Sequence, residues 1–378
     1  MKKDRIKDSL RDKIENGDYP VGSLLPSERQ LAAEFAISRL TLRRAIEPLV
    51  HEGLLENQVG RGTLVVDKSS AAEASRLRWK IMALVLPDIS NRFYAEVAES
   101  VEYAALQQGY QILLCNSRHQ ANLEDFHLSQ IAERGVDGVV FAHDPHLEMP
   151  QALQLLEAVG IPTVILFAST KQNACDTITL DDRAGVEQAL LYLVSLGHRN
   201  IAFCRPLLPN QKHFRESHYE EFLSQNKIPY FSRNILNILG REEQDVRRDL
   251  DQMLSAPRAS RPTAFLCGND HVALMLMKQI GIMGLKIPAD LSIVGFDNLR
   301  FVEHLAVPLT TVDQPKQFMG RRATEMLFER IHAKTPIAPR NEVFRPHLVI
   351  RESCAIASGD LQPAREELKA MRIESPRK

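Results

Sequence analysis

Within SRLTLRRA, residues 38–45, Ser38 is placed to cap a helix, and Arg39, Thr41 and Arg43 then fall on its first turns. Such side chains at the amino-terminal end of a helix can enter a DNA major groove, where a guanidinium fork meets guanine O6 and N7. Arg29 opens the preceding helix, and a helix start beside an arginine suits a backbone phosphate. Gly60 and Gly62 would let a hairpin tip approach the phosphates closely, with Arg61 between them able to lie in a minor groove. Arg44 faces another side of the helix and equally suits a surface ion pair. A bare arginine cluster is usually a solvated face; the cap, the spacing and the glycine pair set this one apart.

A second constellation follows apolar runs. Asp88, Asn91, Phe93 and Tyr94 come after 81–86, Asn269 and Asp270 after 265–267, and Asp297 after 293–296. In open parallel sheets, ligands sit beyond the carboxyl ends of strands. Carboxylates and amides exchange hydrogen bonds with adjacent hydroxyls, and an aromatic ring covers the apolar face of a sugar. Arg215 adds a bidentate donor for vicinal hydroxyls or a carboxylate. The bland alternatives are that Asp88 and Asp297 cap helices and that Phe93 is core. In a different class, Asp88 and Asp270 would mimic the acid–base pair of a sugar-processing enzyme. No HExxH, GxSxG or GxxxxGK sequence occurs, and His143 and His146 flank a proline without a third ligand nearby. The expectation is therefore a binding protein, not an enzyme, with no cofactor and no metal.

These residues need elements to hold them. From Asp4 to Asn16, Ile6, Leu10 and Ile14 recur every four positions among charges, which predicts an amphipathic helix closed by Gly17. A second helix is predicted after Pro26, with Ser27 and Gln30 capping each other and Leu31, Ala32 and Phe35 buried. A third runs from Ser38 to His51 with Leu42, Ala45, Ile46 and Leu49 inward, and Pro48 should bend or shorten it. Gly53 stops it, and 54–58 and 62–66 read as strands joined across 59–61. Three helices and a hairpin make a winged helix-turn-helix over residues 1–68, followed by a linker at 69–80.

Beyond the linker, apolar strands at 81–86, 110–114, 138–141, 163–166, 177–180, 200–204, 263–267 and 291–296 alternate with amphipathic helical patterns. Such alternation predicts an α/β architecture of parallel sheets with helices on both faces. The segment 81–356 is too long for one ordinary sheet, so two lobes are expected, with a charged tail at 357–378.

Composition limits what the chain can be. With 47 Lys plus Arg against 48 Asp plus Glu, the formal charge is -1, so any nucleic-acid contact must come from a local cluster. The five cysteines, Cys115, Cys175, Cys204, Cys267 and Cys354, never form a CxxC pair, which argues against a disulfide framework or zinc knuckle. The opening MKKDRIKDSLRDK has no apolar core behind its lysines, and no apolar run approaches a membrane span. A cytoplasmic chain without a membrane partner is expected.

PSERQLA at 26–32, SRLTLRRA at 38–45, EGLL at 52–55 and GRGT at 60–63 occur in the order and spacing of the GntR-type winged-helix domain, which this segment resembles. That resemblance implies DNA contacts at Arg29, Arg39, Thr41, Arg43 and Gly62. ALVLPDISNRFYAEV at 83–97, GVDGVVF at 135–141, ITLDDRAG at 178–185, LGHRNIAF at 196–203, AFLCGNDHVAL at 264–274, LSIVGFDN at 291–298 and PLTTVDQP at 308–315 resemble the effector domain of LacI/GalR-type regulators. This second resemblance implies the fold of periplasmic sugar-binding proteins, with effector contacts at Asp88, Phe93, Arg215, Asp270 and Gln314. His218 stands where that family commonly has glycine. The fused layout is similar to that of arabinose-responsive repressors. It implies a homodimer that binds a double-stranded DNA operator and answers to a small-molecule effector, a sugar first, with a purine or phosphorylated sugar as the alternative.

Overall fold

Ile6, Leu10 and Ile14 bury one side of α1 (Lys2–Glu15) in a small core with Leu31, Leu42, Leu49 and Val65. The computed structural model describes residues 2–35, 37–51, 54–58, 62–66, 80–168, 175–206, 213–257 and 260–357. The chain divides into two compact units, Met1–Trp79 and Lys80–Lys378. The expected linker and charged tail fall almost wholly outside the described residues.

In the first unit, α2 (Glu28–Glu34) starts at a capping box: Ser27 Oγ accepts from the Gln30 amide at 3.4 Å, and Gln30 Oε1 accepts from the Ser27 amide at 2.9 Å. The Thr41 amide donates to Ser38 Oγ at 3.1 Å, capping α3 (Arg39–His51) as the sequence predicts. Pro48 does not shorten α3, which continues for three residues beyond it. The missing amide hydrogen bond is outweighed by the burial of Leu42, Ala45, Ile46 and Leu49 along the same helix. The strands β1 (Leu55–Gln58) and β2 (Gly62–Val65) pair antiparallel with Leu55 opposite Val65. Three helices and a hairpin form a winged helix.

The second unit holds two six-stranded sheets. Lobe 1 is built on β3 (Ile81–Leu86), β4 (Gln111–Asn116), β5 (Gly138–Ala142), β6 (Thr163–Leu166), β7 (Asp176–Leu180) and β13 (Asn341–Phe344), all parallel in the order β13-β7-β6-β5-β3-β4. Lobe 2 contains β8 (Ile201–Arg205), β9 (Ile235–Asn237), β10 (Ala264–Cys267), β11 (Ser292–Asp297), β12 (Thr310–Asp313) and β14 (His347–Val349), in the order β14-β12-β11-β10-β8-β9. Only β14 is antiparallel to its neighbour there. Strands such as β5, buried at all five positions, show why continuous apolar runs appear in the sequence: helices cover both faces.

The helices are α4 (Arg92–Gln107), α5 (Ala121–Arg134), α6 (Ala152–Val159), α7 (Asp182–Ser195), α8 (Phe214–Gln225), α9 (Glu243–Leu254), α10 (Asp270–Ile282) and α11 (Lys316–Ile331). Although α11 follows a lobe 2 strand, it packs on α4 in lobe 1. The approach is close, because a Cβ on Gly320 would stand 1.9 Å from Ser100 Oγ. Among the described residues the chain therefore crosses between lobes three times: at 180–182, at 313–316 and at 344–347.

Candidate nucleic-acid interface and effector cleft

On the winged helix, Arg29 and Arg43 are exposed, Ser38 is exposed and Thr41 is half-buried with Oγ1 2.8 Å from Ser38 Oγ. Arg43 Nε donates to Glu28 Oε1 at 2.8 Å. Gly62 begins β2 at φ +116°, a conformation that a side chain would strain. The side chain of Arg39, and all of Gly60 and Arg61, lie outside the described residues.

In the second unit the strand ends converge as the parallel topology requires. Arg215 sits in the first turn of α8, where His213 Nδ1 accepts its amide hydrogen bond at 3.1 Å, so His218 leaves its placement intact. Its guanidinium is buried and stacks on Phe296 at 3.8 Å, while Nε donates to Asp182 at 2.8 Å and Nη1 to the Gly268 carbonyl at 2.6 Å. Asp297 Oδ1 lies 3.7 Å from Arg215 Nη1 and accepts from Gln314 Nε2 at 2.5 Å. Gln314 is buried, and its Oε1 has no hydrogen-bond partner among the described residues.

Asp297 has φ +114°, costly for a residue with a side chain. Lys316 Nζ donates to its backbone carbonyl, and the buried lysine also faces Glu96 at 3.8 Å and Asp313 at 3.9 Å. Burial pushes the Asp297 carboxyl pKa up, opposed by Arg215 and Lys316.

Asp270 departs from the expectation of a carboxylate open to a ligand. It is fully buried, with Oδ1 accepting from Thr311 Oγ1 at 2.6 Å and Oδ2 from the Leu299 amide at 2.8 Å. Both oxygens are committed inside lobe 2, and a Cβ on Gly295 would stand 2.2 Å from Oδ1. Its pKa is raised by burial first and by the neighbouring Asp297 charge second. Asn269 caps α10, accepting from the Val272 amide at 2.9 Å.

In lobe 1, Asn91 caps α4 by accepting from the Phe93 amide at 3.0 Å. Asp88 closes a local turn by accepting from the Ser90 amide at 2.9 Å, and lies 4.0 Å from His119 Nε2. Phe93 is buried and packs at 5.3 Å on Tyr94 and on Phe167. Burial and then the charges of Asp144 and Asp297 drive the Tyr94 hydroxyl pKa upward.

The sequence reading missed several residues here. His119 Nδ1 lies 2.6 Å from Asp144 Oδ2, a hydrogen bond that raises the histidine pKa. Behind them, His143 Nδ1 is 3.1 Å from the buried Glu124. His146 of lobe 1 packs across the cleft on His213 at 5.0 Å and on Phe214 at 5.6 Å. His143 and His146 thus serve hydrogen bonding and ring packing, and no cluster able to hold a metal occurs among the described residues.

The profile described as "Bacterial regulatory proteins, gntR family" matches residues 2–65, and that of a "Periplasmic binding protein-like domain" matches residues 190–354. The transcriptional regulator MalR of Streptomyces coelicolor is 30% identical over 348 residues, covering 87% of this chain and 97% of its own. The chain belongs to the HTH-type transcriptional regulators. This regulator joins a GntR-type winged helix to a LacI-type effector domain, and it is a DNA-binding protein rather than an enzyme. The arabinose metabolism transcriptional repressor of Geobacillus stearothermophilus is 28% identical over 356 residues, covering 92% of this chain and 96% of its own. Among solved structures, a LacI family regulator from Enterococcus faecium with bound ribose aligns with a TM-score of 0.63 at 26% identity, covering 74% of the regulator and 100% of that chain. No helix among the described residues is long and apolar enough to cross a membrane.

Proposed function

We propose that this regulator represses sugar-utilisation genes and is released from its operator by a neutral sugar bound between the two lobes. One observation carries the reading: the buried, unpaired Gln314 Oε1 beside Asp297 and Arg215 is an acceptor suited to a ligand hydroxyl. Asp297 and Gln314 accept, Arg215 donates, and the rings of Phe93, Tyr94 and Phe167 offer an apolar face. Asp88 and Asp144 on the lobe 1 side are acceptors already facing His119, and neither offers a hydrogen-bond donor to a phosphate. The names of the Geobacillus and Enterococcus relatives, one an arabinose metabolism repressor and the other bound to ribose, support the same class. Asp88, Asn91, Asn269 and Asp270 shape the cleft from within their own lobes, and Asp270 anchors the Leu299 amide and the Thr311 hydroxyl.

At the operator, Arg43 reads a base edge, Arg29 holds phosphate, and Ser38, Arg39, Thr41, Gly60, Arg61 and Gly62 complete the contact surface. Effector favours one lobe angle, and a coupling of about 1 to 3 kcal/mol changes operator occupancy by about 5 to 150-fold. Two heads on a homodimer match a pseudo-palindrome. The edge strand β4, with Leu113 and Leu114 exposed, and α4, with Tyr103 and Leu106 exposed, supply apolar surface for that dimer.

A thermal-shift panel of neutral pentoses and hexoses, their phosphates and purine bases tests the reading. A neutral sugar that raises the melting temperature and also dissociates the operator complex is the expected result. Stabilisation by phosphates or purines alone would overturn it.

A further inference from the structure

One contact between the lobes is aromatic. The ring of His146 in lobe 1 stands 5.0 Å from that of His213 and 5.6 Å from that of Phe214 in lobe 2, the second pair stacked at 28°. Both sides are braced. In lobe 1 the His146 amide donates to Asp144 Oδ1 at 2.9 Å and the Leu147 amide to the Asp144 carbonyl at 3.0 Å, closing the turn that carries the ring. In lobe 2, His213 caps α8 through the Arg215 amide, and Phe214, the first residue of α8, stacks on His213 at 4.1 Å. Burial holds both imidazoles below their usual pKa, so at neutral pH they pack uncharged beside Arg215.

The rings adjoin the polar groups of the cleft from both lobes. The Arg215 guanidinium lies 5.3 Å from the Phe214 ring, and Asp144, which faces His119, holds the His146 backbone. His146 is exposed and His213 buried, so the stack runs from solvent inward. A sugar ring held between two side chains needs a van der Waals contact of about 3.5 to 4.0 Å on each side. Aromatic rings at 5.0 and 5.6 Å already touch, and no sugar passes between them. A sugar seated against Arg215 therefore meets a closed wall on this side, and so does any second unit linked to it in that direction.

We infer that His146, closing on His213 and Phe214, is a specificity-determining residue that limits the effector to a monosaccharide. This rests on the reading of the cleft as a neutral-sugar site. The test is isothermal titration of the full chain, in parent, His146→Ala, His146→Phe and Phe214→Ala forms, with D-ribose, L-arabinose, D-glucose and D-galactose and with the disaccharides maltose, lactose and sucrose. The parent binds a monosaccharide and no disaccharide. His146→Ala opens the wall from lobe 1: it gains a disaccharide at least about tenfold over the parent and holds the monosaccharide about two- to fivefold more weakly. His146→Phe keeps a ring in place and restores the parent's selectivity, which general damage to the fold would not do. Phe214→Ala opens the same gap from lobe 2 and gains the same disaccharide, so the test survives a His146→Ala chain that fails to fold.

Disaccharide binding by the parent, or no gain in either alanine variant, removes the size filter and leaves the sugar reading standing. A gain in His146→Phe equal to that in His146→Ala shows that the ring is not the barrier and overturns the inference as well. If no saccharide binds any form, the sugar reading itself fails, and the filter falls with it.

Discussion

Arg43 in the winged helix stands 69% exposed with a carboxylate at its Nε, whereas Arg215 in the effector domain, 9% exposed along its side chain, is held by Asp182, a peptide carbonyl and the face of Phe296. Removing the first leaves only water where a charge was. Removing the second leaves carboxylates uncompensated inside a lobe. The head therefore separates binding from folding, and the cleft ties the two together, because an interior charge must be neutralised by the fold before it can serve a ligand.

The largest expected effect lies in the cleft. Arg215→Ala should cost about 3 to 5 kcal/mol of stability, since Asp182 and Asp297 lose their shared cation in a dry setting. Arg215→Lys should recover little, because one ammonium cannot bond Asp182 and Gly268 while stacking on Phe296. Chemical denaturation of the full chain measures both; parent-like stability in the alanine variant would break the contrast.

Next comes Asp270. Burial and Asp297 raise its pKa in the fold, so the folded protein favours the protonated acid. Its contribution to stability is fully present below the unfolded value of 3.8 and drains away as pH rises through the higher folded value. Asp270→Asn keeps an acceptor for the Leu299 amide without the charge, and should flatten the pH dependence and exceed the parent in stability at about pH 8. Asp270→Ala strands that amide and the Thr311 hydroxyl and should cost about 1 to 3 kcal/mol at low pH, a loss that shrinks as pH rises and the parent's own Asp270 becomes charged. Denaturation midpoints across pH separate the outcomes, and a parent-like slope in the asparagine variant rejects the charge argument.

In the head, Arg43→Ala should weaken matched operator by about 1 to 3 kcal/mol while stability stays within about 0.5 kcal/mol of the parent. A drop in melting temperature would show that the exposed side of the comparison is entangled too. The smallest effect belongs to Arg29→Ala, which should weaken all duplexes alike and flatten the salt dependence by about one ion. Anisotropy titrations at several salt concentrations test it.

The head was the more legible half because its signals are local. Ser27 and Gln30 are three residues apart, as are Ser38 and Thr41, and the intervals of four in α1 state which side is buried. In the cleft, strand positions announced themselves as apolar runs, and the polar residues after them lie at the strand ends as expected. Their roles were not legible. Asn269 and Asp270 are adjacent, yet one caps a helix from its start and the other turns inward to Thr311, forty-one residues away. Asp144 meets His119 across twenty-five residues, and His146 meets His213 from the other lobe; no spacing along the chain encodes either meeting. The three-residue strands β9 and β14 and the edge strand β13 were too short or too polar to show a period. The amphipathic pattern of α11 told that it packs, but not that it returns to the lobe the chain had left.

That return has a mechanical meaning. A body tethered at one flexible point can turn about three axes, while fastening it at three separate points leaves close to one soft rotation. Two of the three crossings carry cleft residues: Asp182, which holds Arg215, follows the first, and Gln314 lies within the second. A ligand seated at the proposed site would act at the fulcrum rather than at the rim. A shift too small to disturb a hydrogen bond there is multiplied along the length of each lobe, and its direction is set by the pivot, whichever hydroxyl supplied the push.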